Sequence, residues 1–302
     1  MKREYLINEH TRINISKLAH KIIMQDLTIF SFTKDWNQNK FINEIIYLYL
    51  KNFYTPYEVN FDFLKFKGDS KEMRLNKKTI NEYEDLECKI HEKYQFERPS
   101  QFFKAIVETY ARLSFTDREN INLQDCIEKI EKAISEKNKV IIKTYKLNNL
   151  ELIPYKIFCA KEGPFSYLIG FDNNDNIRSI RISQIESIRK SGNFKKITEE
   201  KLIDLEEKIA EFGATFAEEL IEDVKIQFLT QDAENSYAYS IIHRPIHTEI
   251  LDKEKRIYLF KCSLKQAEFF FFRFAGDIKI LEPDSLRNKF IANYKKAIKV
   301  YE

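Results

Sequence analysis

Apolar and polar positions alternate in the opening segment TRINIS, with Ile13 and Ile15 on one side and Arg12 and Asn14 on the other. A period of two predicts a short half-buried strand. Ser16 stands where a helix cap belongs, and Leu18, Ile22, Ile23 and Leu27 then recur at helical spacing. NKFINEIIYLYL predicts a second helix whose inner face is Phe41, Ile42, Ile45, Ile46 and Tyr49. The order is strand, helix, helix.

From Gly68 to Asn138 the spacing stays helical, with stripes such as Phe102, Ile106, Tyr110 and Leu113, then Ile127, Ile130 and Ile134. Short β-rich runs follow: VIIKTYKL, ELIPYKIFCA, FSYLIGF and IRSIRISQIESI, separated by NN, KEGP and DNNDN turn signals. Runs of that length bounded by such turns predict a small β-barrel. TEEKLIDLEEKIAEF predicts a helix, VKIQFL and RIYLFKCS two strands, and LRNKFIANYKKAIKVY a closing helix. EFFFFRF reads as one buried strand or helix edge, and no tandem repeat is visible. The pattern predicts an α+β chain in four parts: an N-terminal unit over 1–67, a helical linker over 68–138, a small barrel over 139–197 and an α/β unit over 198–302.

The chain has 302 residues, of which 43% are hydrophobic and 14% aromatic, enough to build real cores. Lysine and arginine number 50 against 47 acidic residues, so a nucleic-acid surface must be a local patch rather than a global field. No window has the length and apolarity of a membrane span, and MKREYLINEH lacks the apolar stretch of a leader; the expectation is a cytoplasmic protein without a membrane partner. Cys88, Cys126, Cys159 and Cys262 lie far apart, without paired metal-ligand spacing, and read as small buried hydrophobes. His243 and His247 have the i, i+4 spacing of a helical metal pair, but Pro245 between them opposes that helix. No GxSxG, HExxH, P-loop or GxGxxG segment is present, so neither an enzymatic step nor a cofactor is expected.

The segment around SYLIGFDNNDNIRSIRISQIESI resembles the WYL family, named for a Trp-Tyr-Leu strand. Tyr145 ends the first strand, Pro154 starts the next, Tyr167 and Leu168 keep two of the name residues, and RSIRISQI resembles the family's arginine segment. Ser166 replaces the tryptophan, and Gln184 stands where many members carry a further arginine. FAGDIKILEPDSLRNKFIANYKKAIKVY resembles the extension that follows these domains. The resemblance implies an Sm-like barrel followed by an extension that often contributes to dimerisation, hence a homodimer. The first 54 residues resemble a ribbon-helix-helix, in which strands from two chains pair into a ribbon that enters the major groove. TIFSFTKDWNQ is longer than the turn that family uses.

These readings nominate two sets of contacts. Arg12, Asn14 and Asn39 would face nucleic acid from the N-terminal unit, where the bland alternative is the polar side of an ordinary strand. Arg178 and Arg181, with Tyr145 and Tyr167, would hold a nucleotide or a nucleic-acid backbone, since a guanidinium makes paired bonds to phosphate. The bland alternative there is solvated strand charge and wall-filling rings. Residues three apart on a strand point to opposite faces, so the two arginines share a pocket only across a bulge. Two functions are expected: a dimeric DNA-binding transcriptional regulator whose WYL domain senses a ligand, or, because a ribbon-helix-helix followed by a WYL domain also resembles accessory proteins of RNA-targeting CRISPR systems, a single-stranded RNA-binding accessory protein of such a nuclease. A bare dimerisation scaffold is a third.

Overall fold

Strand β1 (His10–Asn14) finds its partner inside its own chain: it pairs antiparallel with β2 (Ser70–Arg74). The computed structural model describes residues 10–30, 36–52, 57–68, 70–159, 165–193 and 197–302, with residues 10 and 70–72 described by backbone alone. Part of the connection between the first two helices, residues 31–35, and the KEGP turn at 161–164 lie outside the described residues. The fold class is α+β. The chain divides into two compact units. One comprises Met1–Lys132, Ile142–Asn149 and Ile182–Ile188; the other comprises Ala133–Ile141, Leu150–Arg181 and Arg189–Glu302.

The first unit contains a repeat. After β1 come α1 (Lys17–Phe30) and α2 (Gln38–Lys51); after β2 come α3 (Lys77–Lys93) and α4 (Pro99–Tyr110). His10 and Ser70, Ser16 and Asn76, and Lys17 and Lys77 all stand 60 positions apart. Each half opens its first helix with a side-chain cap, Ser16 Oγ accepting from Ala19 N at 3.1 Å and Asn76 Oδ1 from Thr79 N at 2.8 Å. Ile13, Ile15, Ala19 and Ile23 are buried, and so are their counterparts Met73, Leu75, Thr79 and Tyr83. Phe41, Ile45 and Tyr49 of α2 return as Phe102, Ile106 and Tyr110 of α4. The ladder obeys the same two-fold relation, because Thr11↔Met73 and Ile13↔Lys71 are equivalent pairs around a central Arg12↔Glu72.

This corrects two expectations. The opening strand needs no second chain to complete a ribbon, and residues 68–138 are not helical throughout. A division at residue 67 would cut one core, since Ile13, Ile23, Phe41, Met73, Tyr83 and Phe102 belong to the same apolar cluster. The return to β2 is tight: a Cβ on Gly68 would lie 1.8 Å from the Ile15 carbonyl oxygen. Two buried carboxylates, Glu108 and Asp26, are matched. Glu108 accepts from Ser16 N at 2.5 Å and Ser16 Oγ at 2.8 Å, and from Arg112 Nη1 at 2.5 Å. Asp26 takes Tyr110 Oη at 2.6 Å and Arg118 Nε at 2.7 Å, the latter on α5 (Phe115–Ser135). Such matching is what makes buried carboxylates tolerable.

β3 (Asn138–Thr144), β4 (Leu150–Cys159), β5 (Ser166–Asp172), β6 (Ile177–Arg181) and β7 (Ile185–Asn193) bond in the order β6-β5-β4-β3-β7. The expected barrel is not closed among the described residues. Closure requires β6 to offer its outer edge to β7, but β6 is five residues long and leaves through the 3-10 turn Ile182–Gln184. Pro154 faces Gly170 across the β4–β5 pair, where an added Cβ would meet the Ile153 oxygen at 2.3 Å. α6 (Glu199–Phe212) packs Leu205 against Ile169 and Phe171 of β5.

The remaining residues form a four-stranded antiparallel sheet of order β11-β8-β10-β9 from β8 (Ile221–Phe228), β9 (His247–Asp252), β10 (Ile257–Ser263) and β11 (Ile278–Glu282). α7 (Gln231–Tyr239), α8 (Leu264–Phe271) and α9 (Asp284–Tyr301) accompany it. The EFFFFRF run ends α8 and splits by helical geometry: Phe270 and Phe271 are buried beside Phe228 and Phe260, whereas Phe269 is exposed. Of the cysteines, Cys262 is buried as expected; Cys88 and Cys159 are exposed and Cys126 is half-buried, a correction to the reading of all four as core.

Candidate nucleic-acid interface

With Ile13, Ile15, Met73 and Leu75 turned into the core, strand alternation assigns positions 12, 14 and 74 to the outer side of the ribbon. Arg12 and Arg74 are exposed there, and Asn14 is half-buried. Lys17 and Lys77, the first residues of α1 and α3, are exposed as well. The ribbon's outer side thus carries the exposed Arg12 and Arg74, the two-fold related Lys17 and Lys77 open the adjoining helices, and Glu72 is the register partner of Arg12 at the centre of the ladder. A two-stranded ribbon fits the major groove of duplex DNA.

The predicted residues divide by duty. Arg12 is presented. Asn14 accepts from Gly68 N at 2.7 Å and so fastens the return into β2. Asn39, at the start of α2, spends its amide on the backbone of Arg74, donating to Arg74 O at 3.0 Å and accepting from Arg74 N at 3.0 Å. Arg74 and Lys77 were hidden from sequence reasoning inside a stretch read as helical. The available signal was SKEMRLN, which alternates as TRINIS does.

The WYL-like residues separate too. β5 and β6 pair one-to-one from Phe171↔Ile177 to Tyr167↔Arg181, with no bulge. Arg178 and Arg181 therefore lie on opposite faces, and Tyr167 shares a face with Arg181 as its register partner. Arg178 bonds Asp172 by Nε at 2.9 Å and Nη2 at 2.7 Å. Burial pushes the Asp172 carboxyl up, but the Asn176 backbone, Arg178, the Asn176 side chain and the Asn174 backbone together hold it below its ordinary value. The Arg181 guanidinium carbon stands 3.0 Å from the ring centre of Phe165. Tyr167 packs on the cluster around Leu205. Tyr145 lies past the end of β3 and is exposed, with Lys146 Nζ 5.2 Å from its ring centre.

A cavity of about 470 Å³ opens elsewhere in the second unit, with Phe158, Glu206, His243, Arg244 and Lys261 on its wall. None of the four predicted WYL residues lines it. Behind the lining Glu206, the Tyr155 hydroxyl, pushed up to about 12 by burial and by Glu206, donates to that carboxylate at 2.7 Å.

No protein-family model matches the chain, and no curated protein matches it. Its fold is similar to the crystal structure of a CRISPR Cas-related protein, with 16% identity over 100% of this chain and 96% of that one and a TM-score of 0.67. Proteasome accessory factor B/C (PafBC) of Arthrobacter aurescens aligns at 11% identity over 100% of this chain and 51% of that one; its TM-score of 0.30 carries no argument.

Proposed function

We propose that the protein is a non-enzymatic nucleic-acid-binding regulator that reads duplex DNA with a ribbon built from one chain. The observation that carries this reading is the β1–β2 pair itself, with Arg12 and Arg74 exposed on its outer side and Lys17 and Lys77 at the adjoining helix starts. Base edges in the major groove supply discrimination, and the helix-start lysines supply phosphate contacts. Arg181 and Tyr167, register partners on one face, would form a second anion-seeking area on the WYL-like sheet, and a ligand favouring one of its arrangements would shift the regulator's population.

A second reading is favoured by the whole-chain likeness to a CRISPR Cas-related protein. In it the chain serves a CRISPR system as an accessory protein that holds single-stranded RNA through stacking and phosphate contacts.

Fluorescence anisotropy with matched duplex DNA, single-stranded DNA and single-stranded RNA separates the readings. The first expects duplex preference, lost in the Arg12→Ala/Arg74→Ala variant. The second expects single-stranded RNA preference, with loss on Arg181→Ala and Tyr167→Ala. Equal, salt-insensitive weakness on all three polymers would reject both.

A further inference from the structure

The two-fold relation in the first unit has an interior. Helices α2 and α4 face each other across it, and between them and α5 lies a cavity of about 390 Å³. Its walls come in equivalent pairs: Ile45 with Ile106, Leu48 with Thr109, and Tyr49 with Tyr110, each 61 positions apart. The third wall is α5, which has no counterpart in the repeat and brings Gln124, Glu128 and Glu131. A volume of this size is that of a small-molecule site.

We infer that this cavity is an effector site for a small flat aromatic cation. The lining combines tyrosine rings and aliphatic side chains with two carboxylates, and among its residues there is no lysine, arginine or histidine. Glu128 is held by Gln124 Nε2 at 2.7 Å, and Gln124 Oε1 accepts from Asn52 Nδ2 at 2.6 Å, so one acidic group is braced by a polar chain along the wall. A cation gains from the carboxylates and the ring faces. An anion would instead meet the two exposed carboxylates first, since the neighbouring Lys51 is already turned to Asp125 and Glu128. The preference is opposite to that of the strand arginines, so this is a separate specificity.

The site's position gives it leverage. Asn39 near the start of α2 grips the backbone of β2, and Glu108 of α4 grips Ser16, two residues past the end of β1. A ligand seated between the later turns of α2 and α4 therefore acts on the two helices that brace the two ribbon strands. The effector role rests on the proposed ribbon function; the site does not.

Isothermal titration calorimetry on the full chain with tryptamine, tryptophol and indole-3-acetate tests the assignment, because the three share a ring and differ in the charge of the tail. Tryptamine should bind one per chain and more tightly than tryptophol by about tenfold, with no heat from indole-3-acetate. Glu128→Gln/Glu131→Gln should erase the preference for the amine, and Ile127→Trp, which fills the cavity, should abolish binding of all three while circular dichroism stays unchanged. Equal binding of the three probes, survival of binding in Ile127→Trp, or no binding by any probe would overturn the site. Duplex affinity measured with and without saturating tryptamine should differ several-fold. An unchanged affinity removes the effector role alone, and a protein that binds no nucleic acid yet still selects tryptamine removes the ribbon reading alone.

Discussion

Asn39 holds both backbone groups of Arg74, with Nδ2 on the carbonyl oxygen and Oδ1 on the N–H, each at 3.0 Å. One side chain thereby joins the first half of the repeat to the second strand of the ribbon. Asn39→Ala should cost about 1–2 kcal/mol in urea unfolding and weaken nucleic-acid binding through the misplaced Arg74. Asn39→Asp, which keeps the acceptor and loses the donor, should fall between. Unchanged stability with lost binding would instead restore Asn39 to the direct contacts first assigned to it.

Because the ribbon is complete in one chain, we propose that the expected homodimer would form through another surface. Ile241, Ile246 and Ile250 are 70%, 65% and 45% exposed around β9, an edge strand of its sheet. Exposed apolar residues beside a strand edge favour pairing with a second copy. Ile246→Glu/Ile250→Glu should convert a dimer to a monomer in sedimentation velocity and leave duplex affinity per chain within about twofold. A parallel loss of binding would show that two chains are needed after all.

The Asp172–Arg178 pair has a pH signature. Because the folded carboxyl titrates below its unfolded value, its stabilising contribution is complete above about pH 3.9 and disappears as the pH falls through the lower folded value. Arg178→Ala should raise the Asp172 pKa in a carbon-13 NMR titration. Since Arg178 is 41% exposed, the loss at pH 7 should be only about 0.5–1 kcal/mol and should shrink at pH 3. A variant with an unmoved Asp172 titration would mean that the guanidinium serves a ligand rather than the turn.

The cysteines should label in order of exposure. Iodoacetamide on the native protein should modify Cys88 and Cys159, both exposed, before Cys126. Cys262 should remain unmodified until unfolding, since burial both blocks access and pushes its thiol up to about 12. Peptide mass mapping with time checks this, and early labelling of Cys262 would contradict the packing around β10.

Local periodicity was enough to determine much of this chain. The alternation of TRINIS, the cap at Ser16, the inner face of NKFINEIIYLYL and the strands SYLIGF and RIYLFKCS all depend on neighbours within a turn or a pleat, so composition and spacing carry them. The partner of β1 was another matter. The two halves of the repeat share few identities, among them Lys17 with Lys77 and Phe41 with Phe102, and only the antiparallel register shows that they are equivalent. The same holds for Asn39, whose amide is consumed by a backbone 35 residues away. It holds for Arg178, claimed by Asp172 across a turn, and for the open edge of β6. Side-chain type sets what a residue is able to bond, but long-range packing decides which partner reaches it first.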